Sequence, residues 1–174
     1  MILYTADLHL GHENIMRLSQ RPFSSVEEMD NVLIDNINRK TGADDDLYII
    51  GDFTYKGGDP VEYLKRIKCR KHLIIGNHDG KLLSDREATG MFAERPRDYS
   101  KIHDNGIDVV LCHYPIAEWD GYFRGTYHIF GHVHNNFGNP WYAYMSKLKN
   151  CFNAGVDVND YEPMTLKELI ERHS

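Results

Sequence analysis

Asp7-x-His9, Gly51-Asp52, Gly76-Asn77-His78-Asp79, His113 and Gly131-His132-x-His134 are five short blocks of oxygen and nitrogen donors spread along a chain of 174 residues. Carboxylate, imidazole and carboxamide groups are the donors that divalent metal ions of intermediate softness accept. Two such ions held side by side also need a carboxylate with both oxygens free and an open position for water, and the blocks supply both. In an extended segment residues i and i+2 point the same way, so Asp7 with His9, and His132 with His134, can each aim two donors into one pocket while Leu8 and Val133 face elsewhere. Gly51 lets the backbone turn sharply, which makes Asp52 the candidate bridging carboxylate; a turn aspartate is the plainer alternative. In the third block Asn77 offers a neutral oxygen, His78 can give a proton to a developing oxyanion, and Asp79 can orient that imidazole from behind. The same residues, N-H-D-G, are also good turn formers. His113 supplies the nitrogen that one ion otherwise lacks, although a single histidine at a strand end can equally be structural.

The elements that must carry these blocks are visible as hydrophobic patterns. Ile2 to Ala6, Leu47 to Ile50 and His72 to Ile75 are short apolar runs, and the first three blocks sit just past their ends, where α/β sheets place their sites. Ser25-x-x-Glu28 resembles a capping box ahead of a helix with Val26, Met29, Leu33 and Ile37 on one face, ended by Gly42. Asp59-Pro60-x-Glu62 opens a second helix. Strand, helix, strand recurs twice, which predicts parallel crossovers through about residue 76. Tyr99 to His103 and Ile107 to Cys112 then flank the hairpin turn Asp104-Asn105-Gly106, so the later half should be antiparallel or mixed. Tyr127 to Phe130 and Cys151 to Val158 supply further strands, and Thr165-x-x-Glu168 caps a last helix. The simplest assembly is a layered α/β sandwich.

Length and composition bound what the site can be. The chain suits one domain, 1–174, without repeats or linkers, and large enough to fold without a structural metal. Cys69, Cys112 and Cys151 never form a C-x-x-C pair, which argues against a disulfide framework or thiolate zinc site and favours a reducing compartment. No signal peptide or membrane span is visible, and a cytoplasmic protein is expected. The net charge of −6 disfavours non-specific binding to nucleic acid or anionic membranes. Two bound dications would nevertheless make the pocket itself attractive to anions. There is no G-x-S-x-G elbow, Walker A loop or G-x-G-x-x-G fingerprint.

Around the blocks, His12 is a candidate phosphate contact or simply a helix-start residue. Trp119-Asp120-Gly121-Tyr122-Phe123-Arg124-Gly125 lies between two blocks, and Trp119 and Arg124 are candidates to stack a base and hold a phosphate, with ordinary packing as the alternative. His72, His103, His128 and His173 read as structural or solvated. The basic run from Lys65 to Lys71 reads as a solvated helix end.

In type, order and spacing the five blocks resemble the signature of the calcineurin-like metallophosphoesterase superfamily: D-x-H, G-D, G-N-H-[DE], H and G-H-x-H. The resemblance spans positions 7 to 134 without departure at a ligand position. It implies a four-layer αββα sandwich of two mixed β-sheets flanked by helices, in a compact member without a cap. It also implies one ion held by Asp7, His9, Asp52 and His134, and a second by Asp52, Asn77, His113 and His132, with His78 as the catalytic histidine supported by Asp79. Manganese is the first candidate for the metals, followed by iron, zinc, nickel and cobalt. The implied reaction is in-line attack at phosphorus by a hydroxide shared between the ions, on phosphomonoesters or phosphodiesters of small or nucleotide-like molecules. A nuclease is the alternative within the same chemistry, and a non-catalytic scaffold the alternative outside it; a scaffold has no need of both His78 and Asp52.

Overall fold

The computed structural model describes residues 1–145 and 147–172, which leaves His173 outside the described residues. Strands β1 (Ile2–Thr5), β2 (Asp46–Ile50) and β3 (Arg70–Ile74) pair in parallel, in that order. Helices α1 (Glu13–Leu18) and α2 (Val26–Lys40) fill the first crossover and α3 (Pro60–Arg66) the second. Two short helices, α4 (Gly80–Ser84) and α5 (Arg86–Gly90), lead to a second sheet of β4 (Tyr99–Asp104), β5 (Ile107–Cys112), β6 (Tyr127–Phe130) and β7 (Cys151–Asn153). There β4 and β5 are antiparallel, while β5, β6 and β7 run parallel. Helix α6 (Pro140–Met145) precedes β7, and α7 (Leu166–Arg172) closes the described chain.

The alternation of side chains along each strand sorts the core into layers. Leu3, Leu47, Ile49 and Leu73 pack against Met29, Leu33 and Ile37 of α2 and Leu64 of α3. The opposite face, with Tyr4, Tyr48, Ile50 and Ile74, meets Val109, Leu111, Ile129 and Phe152 of the second sheet. Val110, Phe130 and Cys151 on the far side pack under Trp119 and Met145. The result is the expected αββα order, with an outer layer over the second sheet much thinner than the one over the first. The second sheet is mixed through its single antiparallel pair, β4 with β5, whereas the first is parallel rather than mixed as expected. The antiparallel component at the first is a single bridge, in which Tyr4 and Met164 exchange N–H···O bonds of 2.8 and 2.9 Å.

Local signals act largely as read. Asp59 caps α3 by accepting from the Val61 N–H at 3.0 Å, and Thr165 and Glu168 form a reciprocal box at 3.3 and 2.7 Å. Asn105 and Gly106 take φ of +49° and +89°, the pair of left-handed residues a type I′ hairpin requires. At α2 Ser25 accepts from the Glu28 N–H, but the Glu28 carboxylate returns to the Ser24 N–H at 2.7 Å, so the box closes one residue early. The strand expected over 151–158 stops at Asn153. Gly155 N–H donates to the Asn153 side chain and the Asn159 amide donates to the carbonyls of Asn153 and Gly155, so side chains take the place of ladder bonds and Val156–Val158 turns into a 3-10 helix. The basic run is only partly solvated: Lys71 is buried, its Nζ donating to the carbonyls of Ile67 and Cys69. Among the described residues no helix is long and apolar enough to cross a membrane.

Candidate metal centre

Each donor block follows a strand: Asp7 and His9 after β1, Asp52 after β2, Asn77 to Asp79 after β3, His113 after β5, and His132 and His134 after β6. These five strands end towards one region, and the blocks meet there. The local geometry is not the extended one expected of D-x-H and H-x-H. Asp7, His9, Asp52, His132 and His134 all take left-handed backbone conformations, with φ of +58°, +52°, +56°, +70° and +48°. Non-glycine residues pay roughly 1–3 kcal/mol each for such conformations, which persist where the surroundings dictate them. Here Asp7 N–H donates to Gly51 O at 3.1 Å, His9 N–H to Asp52 O at 2.9 Å, and His132 N–H to the Asp7 carboxylate at 2.9 Å. Leu8 and Val133 turn away into separate apolar clusters.

Two glycines are required by closeness. A Cβ on Gly51 would lie 2.2 Å from His113 Nδ1, and one on Gly76 would lie 2.3 Å from Asp52 Oδ1. The loops therefore touch at their backbones, which brings the donors together. Asp52 Oδ2 stands 3.4 Å from His9 Nε2 and 3.5 Å from His113 Nε2. Asn77 Oδ1 stands 3.1 Å from His113 Nε2 and 3.0 Å from His132 Nδ1. Ligand atoms of Asp7, His9 and His134, and again of Asp7, Asp52 and His113, lie within 4.8 Å of one another. Asp7 belongs to both groups, alongside the position of Asp52 between His9 and His113.

The donor set fits cations. Both ring nitrogens of His9 are buried without a hydrogen-bond partner. His113 Nδ1 lies 2.9 Å from the Ile50 carbonyl, which requires the proton on that nitrogen. Its Nε2 is thereby the nitrogen turned towards the oxygens of Asn77 and Asp52, and in a neutral ring it is free to ligate a cation that they share. Burial, then the Coulomb effect of His134, pushes the His9 pKa far below the ordinary imidazole value, leaving neutral nitrogen available. His132 is lowered by burial and then by His113. Asp7, fully buried, is pushed up to about 6 by desolvation, which opposes its charged form.

Two residues that the sequence reading missed hold the candidate donors in place. His134 Nδ1 lies 2.7 Å from Asp157 Oδ2, and Asp157 is paired with Arg21, whose guanidinium also donates to the carbonyls of Asp7 and Leu8 at 2.7 and 2.9 Å. Carboxylates behind metal-binding histidines fix the ring and its tautomer. Burial is the largest single influence on His134 and opposes its imidazolium, but the Asp157 hydrogen bond together with the charges of Asp7 and Asp157 outweighs it and the pKa rises. A buried arginine between two donor blocks leaves no spacing pattern in sequence, and Asp157 fell in a segment read as strand.

Other expected roles are redistributed. Asp79 does not contact the His78 ring: its carboxylate accepts from the N–H groups of Asp52, Phe53 and Gly76 at 3.0, 2.9 and 2.8 Å. It therefore staples the Gly51-Asp52 loop to the loop after β3. His78 is exposed, its N–H donates to Asp52 Oδ1 at 2.8 Å, and its ring lies 5.3 Å from that of His9. His12 stacks on Tyr55 at 3.7 Å and borders the same cavity, of about 560 Å³, lined by His9, His78, His132, His134 and Asn135. It also stands at the N-terminus of α1 without capping it by its side chain. Trp119 and Arg124 are not brought to this cavity. Trp119 is 5% exposed in the core over the second sheet, donating to Thr126 O, and Arg124 pairs with Asp120 beside the β4–β5 hairpin, at the opposite end of that sheet. The parallel run of β5 and β6 places the segment before β6 away from the residues after β5. Of the remaining histidines, His128 is buried behind the sheet, while His72 and His103 pair with Asp46 and Asp108.

No protein-family model matches the chain. The uncharacterized protein MJ1445 of Methanocaldococcus jannaschii is 30% identical over 173 residues, covering 98% of this chain and 89% of that protein. The gene 66 protein of Mycobacterium phage L5 is 30% identical over 159 residues, 76% of each chain. The crystal structure of the protein of unknown function AQ665 from Aquifex aeolicus superposes with a TM-score of 0.76 at 30% identity, over 99% of this chain and 98% of that one. The chain belongs to one family with these proteins, and in it the D-x-H, G-D, G-N-H-D, H and G-H-x-H blocks, which resemble the calcineurin-like metallophosphoesterase signature, converge at the strand ends of an αββα fold.

Proposed function

We propose that the protein hydrolyses phosphoric esters with two divalent cations, manganese first among them, held by Asp7, His9, Asp52, Asn77, His113, His132 and His134, and that its substrates are small, nucleotide-like phosphorylated molecules. The observation that carries this reading is Asp52 Oδ2 standing between His9 Nε2 and His113 Nε2 at 3.4 and 3.5 Å, with both ring nitrogens of His9 buried and without a hydrogen-bond partner. Two such cations supply Lewis acidity and a hydroxide nucleophile at neutral pH. The chain's own residues do the rest. His78 gives a proton to the departing oxygen in this reading, which its exposure on the cavity wall and its backbone bond to Asp52 support. Asp157 and Arg21 keep His134 and the Asp7 loop in position. A cavity of about 560 Å³ suits a small molecule.

Hydrolysis of bis-p-nitrophenyl phosphate and p-nitrophenyl phosphate with Mn²⁺, compared between the wild type and His78→Ala, tests the reading. The expected result is a loss of about 10²–10⁴ in turnover with Mn²⁺ binding retained. Equal rates would remove His78 from the mechanism, and no hydrolysis by the Mn²⁺-loaded wild type would remove the function. Binding to nucleic acid that weakens steeply with salt would instead make the substrate a polymer.

A further inference from the structure

Beside the donor cluster lies a second recess, and we propose that it is the subsite for the nucleobase of a nucleotide substrate; the inference rests on the phosphoesterase reading and narrows its substrate class. The recess holds about 360 Å³ and is walled mainly by Tyr114, Pro115, Val133, Trp141 and Met145, with Asn139 and His132 at its polar edge. His132, Val133 and Asn139 also line the cavity over the donor cluster, so the two spaces adjoin. Tyr114 follows the donor His113 directly, and its ring lies 4.6 Å from that of His132, which fixes the recess relative to the donors. A phosphoryl group beside His132 would carry its ester substituent next to this apolar wall.

Tyr114 and Trp141 are 46% and 64% exposed, whereas the other tryptophan, Trp119, is 5% exposed with its indole N–H bonded. Two aromatic side chains left open beside a polar cluster favour a planar, π-faced ligand over a sugar or an alkyl chain. The side-chain N–H₂ of Asn139, whose Oδ1 accepts from the Trp141 N–H, and the Nε2 edge of His132, whose Nδ1 faces Asn77, offer hydrogen-bonding groups of the kind that read a base edge. The volume lies at the lower end of the range for small-molecule sites, and is roomier than a single aryl ring needs. A nucleoside meets all three conditions.

Calorimetric titration of the Mn²⁺-loaded protein with hydrolysis-resistant phosphonate analogues of AMP and of ribose 5-phosphate, and with benzylphosphonate, tests this. The AMP analogue should bind at least about tenfold tighter than the ribose analogue, the scale of one base stacked on an aromatic side chain. Trp141→Ala should erase that difference and leave the ribose analogue unchanged, and Tyr114→Ala should reduce it. Equal affinities in the wild type, or a preference that survives both substitutions, would overturn the subsite while leaving phosphoryl binding intact. Benzylphosphonate binding more tightly than the AMP analogue would replace the nucleobase by a simple aryl group and so overturn the assignment. If Mn²⁺ binds but none of the three ligands does, the phosphoesterase reading fails and the subsite with it.

Discussion

Arg21 and Asp157 form a buried, two-pronged ion pair, Nε to Oδ1 at 2.7 Å and Nη2 to Oδ2 at 3.1 Å, across 136 residues of sequence. Each partner has a further duty. Arg21 holds the carbonyls of Asp7 and Leu8, and Asp157 accepts from His134. A single pair therefore sets the first and last donor blocks against each other.

Replacing Asp157 by Asn keeps its shape but removes the charge that orients His134. Mn²⁺ affinity, measured by calorimetry, should fall about 10–100-fold, the usual effect of losing a partner behind a metal-binding histidine. Arg21→Ala should also destabilise the fold, by about 3–5 kcal/mol in urea unfolding, because it strands the buried Asp157 carboxylate. An unchanged Mn²⁺ affinity in Asp157→Asn would mean that the pair serves folding alone.

The donor blocks were legible because ligand chemistry demands particular residue types next to strand ends, and caps and the hairpin because they rest on local hydrogen bonds and φ preferences. What sequence did not reveal lies in long-range geometry. The left-handed backbones at Asp7 and His132 are imposed by contacts with loops far along the chain, so the extended spacing argument brought the right residues together for the wrong local reason. Trp119 and Arg124 sit between two blocks in sequence, but in space Trp119 is packed in the core over the second sheet and Arg124 lies at the far end of that sheet, since strand direction, not sequence proximity, decides which loops meet.

Gly51 offers a test of how tightly those loops are packed. Its φ of +81° and the 2.2 Å approach of a Cβ to His113 Nδ1 leave Gly51→Ala without room. Crowding of this kind costs about 1–3 kcal/mol, and here it should displace His113 as well. Both the melting temperature and Mn²⁺ affinity should fall. A variant with wild-type values for both would show that the loops separate freely.

His128 predicts a pH dependence independent of the donor cluster. It is buried between the Val110 carbonyl and the Ile116 N–H, and burial lowers its pKa from 6.5 to about 4. Between these values the unfolded chain binds a proton that the folded chain refuses, so stability rises with pH across that window and is lost as pH falls from 6.5 towards 4. At pH 5 the loss relative to pH 7.5 should be about 2 kcal/mol from this group. His128→Gln removes the titration, so its urea midpoint should fall less than that of the wild type between the two pH values. Equal falls would place the acid sensitivity elsewhere.

Asp79 sets the role read from sequence, orienting the His78 ring, against the one its backbone contacts give it. If its carboxylate oriented the His78 ring, Asp79→Asn would lower turnover and leave stability nearly untouched. In the fold it instead accepts three backbone N–H bonds from the loops that carry Asp52 and Gly76, and desolvation with its pKa pushed up to about 6 marks how fully it is enclosed. An asparagine there would accept through one oxygen and press an N–H₂ group against backbone donors, costing about 2–4 kcal/mol. Asp79→Asn should therefore lower the unfolding free energy first, with activity falling because the Asp52 loop loosens. A stable Asp79→Asn protein with impaired turnover would restore the sequence-based role and discard the staple.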